Sequence, residues 1–153
     1  MNSIHKNQEN IPELYRKSEV VRLNLPAQHK FLNVVGTCIR ALIINESGVS
    51  DRDALIYNIE LAVHEACANI VEHAYAGLSG RIEVIFTLVQ KPRQFIIELG
   101  DNGRSFALDS VSAPDLNQPH TSGYGLFLVH QLMDQVEYYP EPGNNRWRLT
   151  KQY

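Results

Sequence analysis

The run ELAVHEACANIVEHAY, Glu60 to Tyr75, constrains this chain more than any other stretch. Read as one helix, it aligns Ile59, Val63, Ala66 and Ile70 at i, i+4, i+7 and i+11 as an apolar stripe. Glu65, Asn69 and His73 follow one another at four-residue intervals along the neighbouring stripe, with Glu72 beside the last. A carboxylate, a carboxamide and an imidazole at the border of an apolar face are costly to bury unless a ligand, a metal or water satisfies them. The row reads as one wall of a polar site on a rigid element. The bland alternative, a solvated helix face, is the default for an isolated Glu and Asn at this spacing.

The flanking segments supply a sheet for that helix to rest on. Val20 to Leu25 alternate with period 2 and are closed by Pro26, which marks a strand. From Ala27, Phe31, Val34, Val35, Cys38, Ala41 and Leu42 recur at helical spacing until Gly48. Ser50 or Asp51 then caps the helix that carries the polar row to about Tyr75. Residues 81–89 and 94–99 predict a hairpin around Gln90-Lys91-Pro92-Arg93, with Ile82, Val84, Phe86 and Leu88 facing the helices. Residues 101–123 are rich in Ser, Asp, Pro and Gly, too long for an ordinary connection, and predict a lid. A helix over 124–134 and a hairpin of 136–139 with 147–150, turning at 142–145, complete the chain. The order predicts an α+β fold, a two-layer sandwich of a mixed β-sheet with helices on one face.

A chain of 153 residues fits one domain over 19–153, preceded by a flexible or partner-docking arm over residues 1–18. Fourteen Lys and Arg against 17 Asp and Glu leave a formal charge of -3, without the basic field of a nucleic-acid binder. The apolar run 34–44 is short and broken by Arg40, and MNSIHKNQEN lacks the apolar core of a signal peptide. A cytoplasmic protein with neither membrane nor nucleic acid as a partner is the expectation. Cys38 and Cys67 sit among apolar neighbours and read as reduced core residues. His64, Cys67 and His73 lack the spacing that would complete a zinc site. Phe127, Met133 and Tyr138 read as core, and Arg104 as a solvated surface residue.

Two glycine motifs flank the predicted lid. Asp101-Asn102-Gly103 delivers a carboxylate at a strand end beside a glycine that lets a flat ring approach. A fixed carboxylate accepting from an exocyclic amine is a simple reader of adenine. Ser122-Gly123-Tyr124-Gly125-Leu126 opens a helix, where free N–H groups form an anion site suited to phosphates. Taken singly, each is an ordinary turn or cap.

In combination, Glu65-x-x-x-Asn69, Asp101-x-Gly103 and Gly123-x-Gly125-Leu126 resemble the N, G1 and G2 boxes of the gyrase, chaperone, histidine-kinase and mismatch-repair ATPase superfamily. The wording EACANIVEHAY, DNGRSF and GYGLFLVHQLMDQVEY is similar to the anti-sigma-factor serine/threonine kinases of bacterial partner-switching systems, over about residues 20–153. The resemblance implies ATP and Mg²⁺ as cofactors, with Asn69 holding the metal against the phosphates and Glu65 acting as general base. It implies that Asp101 takes the adenine amine, with Gly103 giving clearance and Thr150 supporting from the last strand. Gly123, Gly125 and the N–H of Leu126, with Tyr124 among them, would cradle phosphates; Thr121 and Ser122 would be lid donors. His73 would stand near the phosphate or ribose end.

One departure concerns Ser105, which occupies a position where much of the superfamily has a second glycine. It implies a stiffer first hinge for the lid. No phosphoacceptor-histidine helix pair precedes the domain, so histidine autokinase activity is not implied. The implied function is a protein serine/threonine kinase that phosphorylates an anti-sigma-factor antagonist and sequesters a sigma factor or similar regulator, commonly as a homodimer. The alternative is a nucleotide-gated protein-binding module with little transfer activity.

Overall fold

The computed structural model describes residues 18–106 and 123–153. The chain runs β1 (Glu19–Pro26), α1 (Leu32–Ile43), α2 (Arg52–Asn69), β2 (Arg81–Gln90), β3 (Arg93–Asp101), α3 (Tyr124–Leu132), β4 (Gln135–Tyr139) and β5 (Asn145–Gln152). The arm expected at residues 1–18 lies outside the described residues except for Ser18, as does the lid expected between the glycine motifs beyond Phe106.

The strands form one sheet in the order β1-β2-β3-β5-β4. Helices and sheet form the expected α+β sandwich, but the sheet is antiparallel throughout rather than mixed. Two causes act. The β1-to-β2 connection contains two helices, so the chain returns reversed. The β3–α3–β4 crossover does bring β4 back in the direction of β3, but the hairpin then inserts β5 between them, so the two like-directed strands are never neighbours.

Alternation along the strands decides which face takes the helices. Ile82, Val84, Phe86 and Leu88 of β2 share the inner face with Phe95, Ile97 and Leu99 of β3 and Trp147 and Leu149 of β5, and all are buried. Against them lie Ile39 and Ile43 of α1, Ile56, Ile59, Val63 and Ala66 of α2, and Leu126 and Val129 of α3. Each large apolar side chain so buried stabilises by about 1.5–3 kcal/mol. Ion pairs such as Arg40–Glu60 between α1 and α2, 3.0 Å and partly exposed, contribute about 0–1 kcal/mol. Apolar burial therefore fixes the helix positions.

Helix α2 is the central element. Its buried residues extend beyond the predicted stripe to Leu55, Ile56, Ala62 and Cys67, because α1, α3 and the sheet all pack against it. Burial pushes the Cys67 thiol up to about 12, so it behaves as a small apolar group. Asp51 caps the first turn by accepting from the Ala54 N–H at 3.1 Å. After Asn69 the helix continues to Tyr75 as a π-helix and stops at Ala76, which is left-handed at φ 49°.

Gly80 follows this exit. It has an ordinary φ, and the reason for glycine is space: a Cβ there would overlap the ring of Tyr75, itself only 6% exposed. Gly80→Ala should destabilise the domain by about 1–3 kcal/mol through overpacking. Urea unfolding checks this as a lower midpoint at unchanged slope; a loss under about 0.5 kcal/mol would mean that the ring gives way freely.

Candidate functional site

Helix α2 carries the first wall. Glu65 and Asn69 are half-buried on its last α-helical turns, and neither side chain has a hydrogen-bond partner among the described residues. Partly desolvated polar groups without partners are in surplus of what the fold needs. The third member of the predicted row behaves differently. The π-helix from Ile70 closes i→i+5 bonds, and its wider turn takes His73 off the four-residue repeat. His73 is exposed, its ring edge-on to Phe106 at 6.1 Å.

The second wall is the head of α3. Gly123 is its N-cap at φ 92°, a left-handed conformation that favours glycine, and among the described residues no side chain caps the helix. The first-turn N–H groups of Tyr124, Gly125 and Leu126 thus lie at an uncapped helix start. Leu126 points into the core, while Tyr124 is exposed and pairs with Phe127. Gly125 meets α2 directly. A Cβ at Gly125 would lie 2.5 Å from Glu65 Oε2, so the carboxylate of α2 rests on the helix start of α3.

Asp101, at the end of β3, anchors the third group and is 2% exposed. Its Oδ1 accepts from the Gly103 N–H and from Asn145 Nδ2, both at 2.9 Å. Its Oδ2 is buried without a partner among the described residues. Asn145, at the start of β5 and directly across from Asp101, is fully buried. Its amide also donates to the carbonyls of Gly103 (3.0 Å) and Arg104 (3.3 Å), and its oxygen accepts from Ser105 Oγ (2.6 Å) and the Glu141 N–H (3.2 Å). Asn145 thereby ties the turn after β3 to the β4–β5 hairpin.

Thr150 does not support Asp101. It is paired with Ile96 and Gln135 and lies on the opposite face of the sheet, five residues from Asn145 along β5. Trp147 and Leu149 alternate with Arg146, Arg148 and Thr150, so the strand's own pattern carries that signal. Gly103 also has a different reason from ring clearance. A Cβ there would strike the Ala74 carbonyl at 2.5 Å, and the next residue, Arg104, donates its N–H to that carbonyl at 2.8 Å. Glycine lets the turn after β3 close on the end of the helix.

Two tyrosines that the sequence reading gave no site role, Tyr75 as the helix end and Tyr138 as core, complete this corner. Tyr75 donates to the Arg81 carbonyl at 2.5 Å, and its hydroxyl accepts from the N–H groups of Arg81 (3.2 Å) and Asn102 (3.1 Å). Tyr138 stacks on Trp147 at 4.3 Å and accepts from the Phe106 N–H at 2.9 Å; burial raises its phenol above the ordinary range. Nothing in local spacing marks Tyr75, Tyr138 or Asn145, because each acts across strands remote in sequence.

Helix α2 links the two halves: Glu65 meets Gly125 along its length, and Ala74 meets Gly103 at its end. An open cleft of about 840 Å³ borders Asp101, Gly103 and Arg104, but among the described residues neither Asn69 nor Gly125 lines it. Thr121 and Ser122 lie outside the described residues, as does the rest of 107–122.

Residues 26–151 match the family of the histidine kinase-like ATPase domain. The chain belongs to that family. It is 34% identical over 133 residues to the serine-protein kinase RsbW of Halalkalibacterium halodurans, covering 82% of this chain and 78% of that protein. It is 27% identical over 142 residues to serine-protein kinase RsbW of Bacillus mycoides, at 85% and 83% coverage. It therefore stands among the serine-protein kinases of the family. A crystal structure of the RsbU and RsbW domains of a Mycobacterium tuberculosis protein superposes with TM-score 0.64 at 20% identity, over 88% of this chain and 32% of that one. The histidine kinase domain of a blue-light-activated kinase from Erythrobacter litoralis gives TM-score 0.53 at 17% identity, over 83% and 61%, a likeness of fold.

The residues present fit a nucleotide. The unpartnered Asp101 Oδ2 suits an amine donor, and Glu65 with Asn69 supplies oxygen donors of the kind a hard divalent ion takes. Gly125→Ala should displace the flexible end of Glu65 from the start of α3, weakening ATP binding about tenfold while changing stability by less than about 1 kcal/mol. Calorimetric titration beside a urea melt checks both, and unchanged affinity would detach Gly125 from the site.

Proposed function

We propose that this member of the histidine kinase-like ATPase family is a Mg-ATP-dependent serine/threonine-protein kinase of a partner-switching system. It phosphorylates an anti-sigma-factor antagonist and, in its other complex, sequesters a sigma factor or similar regulator, working in the cytoplasm as a homodimer. The observation that carries this reading is the Glu65 carboxylate resting on Gly125 at the uncapped start of α3. A proton acceptor then stands where helix N–H groups would receive phosphate oxygens.

Phosphoryl transfer asks little covalent chemistry of a protein; positioning and charge stabilisation dominate. Asp101, held by Asn145 and Gly103, fixes the base end through its free Oδ2. The N–H groups of Gly125 and Leu126 hold the phosphate end, and Asn69 is the ligand for Mg²⁺. The ion supplies neutralisation of the charge spread over the phosphate oxygens. Glu65 accepts the proton of the antagonist's hydroxyl as that oxygen bonds to the γ-phosphorus and the bond to the β-phosphate oxygen breaks, leaving ADP. His73, exposed beside Phe106, belongs to the rim.

Transfer of labelled phosphate from ATP to a purified antagonist tests the reading. Glu65→Gln keeps size and removes the base, so transfer should fall by about 10²–10⁴-fold while ATP affinity stays close to that of the parent protein. Equal transfer by both proteins would remove Glu65 from the base role.

A further inference from the structure

The Asp101 carboxylate is not symmetric in its surroundings, and the asymmetry bears on which purine the site accepts. Both acceptor directions used on Oδ1 are taken by fixed donors, the Gly103 N–H and Asn145 Nδ2 at 2.9 Å each. Oδ2 is buried and has no partner. The orientation of the Asn145 amide is settled by groups that have no choice. The Glu141 N–H can only donate, so it meets the amide oxygen; the Gly103 and Arg104 carbonyls can only accept, so they meet the nitrogen. Ser105 Oγ, donating to the same amide oxygen at 2.6 Å, locks it further. Asn145 itself is wholly buried.

Adenine and guanine differ in what they ask of a carboxylate. Adenine offers one amine group on its Watson–Crick edge beside an acceptor nitrogen. Guanine offers two adjacent donors, the ring N1–H and the exocyclic amine, and binds best to a carboxylate with both oxygens free, as bidentate pairs do. It also places a carbonyl where adenine has its amine, an acceptor facing an acceptor.

We propose that Asn145 is a positioning residue that sets base preference: with the Gly103 N–H it fills Oδ1 of Asp101 and leaves a single acceptor, Oδ2, which serves adenine and rejects guanine. Ser105 supports it by holding the far end of the amide. The inference rests on the nucleotide reading of this site given above. It also gives Ser105, which replaces a glycine of the family pattern, a structural task.

The test is the ratio of GTP to ATP dissociation constants, each measured by calorimetry with Mg²⁺ on the full chain. The unaltered protein should prefer ATP by at least about tenfold, the discrimination of a good bidentate site. Asn145→Ala frees one of the two acceptor directions on Oδ1, the Gly103 N–H keeping the other, and should bring the ratio down by about tenfold, chiefly through tighter GTP binding. Ser105→Ala leaves Asn145 in place but unlocked and should lower the ratio by a smaller factor, which keeps the idea testable if Asn145→Ala fails to fold. Equal loss of both affinities, with the ratio unchanged in Asn145→Ala or, failing that, in Ser105→Ala, would reduce Asn145 to a structural tie and overturn the inference alone. Binding of neither nucleotide by the unaltered protein would overturn the nucleotide reading and this inference with it.

Discussion

Everything at the site depends on where α2 is pressed against the sheet. Its apolar residues meet α1, α3 and the inner face of the sheet at once, so the helix has no freedom to slide or roll without opening the core. That confinement sets the height of Glu65 opposite Gly125 and brings Ala74 against Gly103. Surface ion pairs such as Arg146–Glu83 adjust the margins of this arrangement and do not determine it.

A closely packed scaffold makes its polar exceptions informative. Asp101 and Asn145 are buried, and a buried carboxylate is tolerated only with hydrogen bonds to its charged form. Two donors satisfy one oxygen, and the other is left over. Natural folds rarely leave such an atom without use. In the last turns of α2, Glu65 and Asn69 likewise have no hydrogen-bond partners among the described residues.

The helix also changes type between these two places. From Ile70 to Tyr75 it is a π-helix, and the Ala74 carbonyl is received by the Arg104 N–H. The wider turn meets the segment after β3 at the cost of the regular repeat, which is why His73 leaves the row that spacing alone assigns to it.

How much could be read without the fold follows from what each pattern encodes. Period 2 and period 3.6 are local, so the strands, the helices, a cap at Ser50 or Asp51, the inner face of β2 and the four-residue spacing of Glu65 and Asn69 were legible in the chain itself. The order of the three boxes also carried the family, since motif wording needs no tertiary contact. Which strand lies beside which is not local. The insertion of β5 between β3 and β4 made the sheet antiparallel and set Asn145 rather than Thr150 against Asp101, while the seating of α2 gave Gly103 the Ala74 carbonyl as its neighbour. Those pairings join residues some 30 to 45 positions apart, and only the burial of the whole apolar face, summed over all elements, selects them.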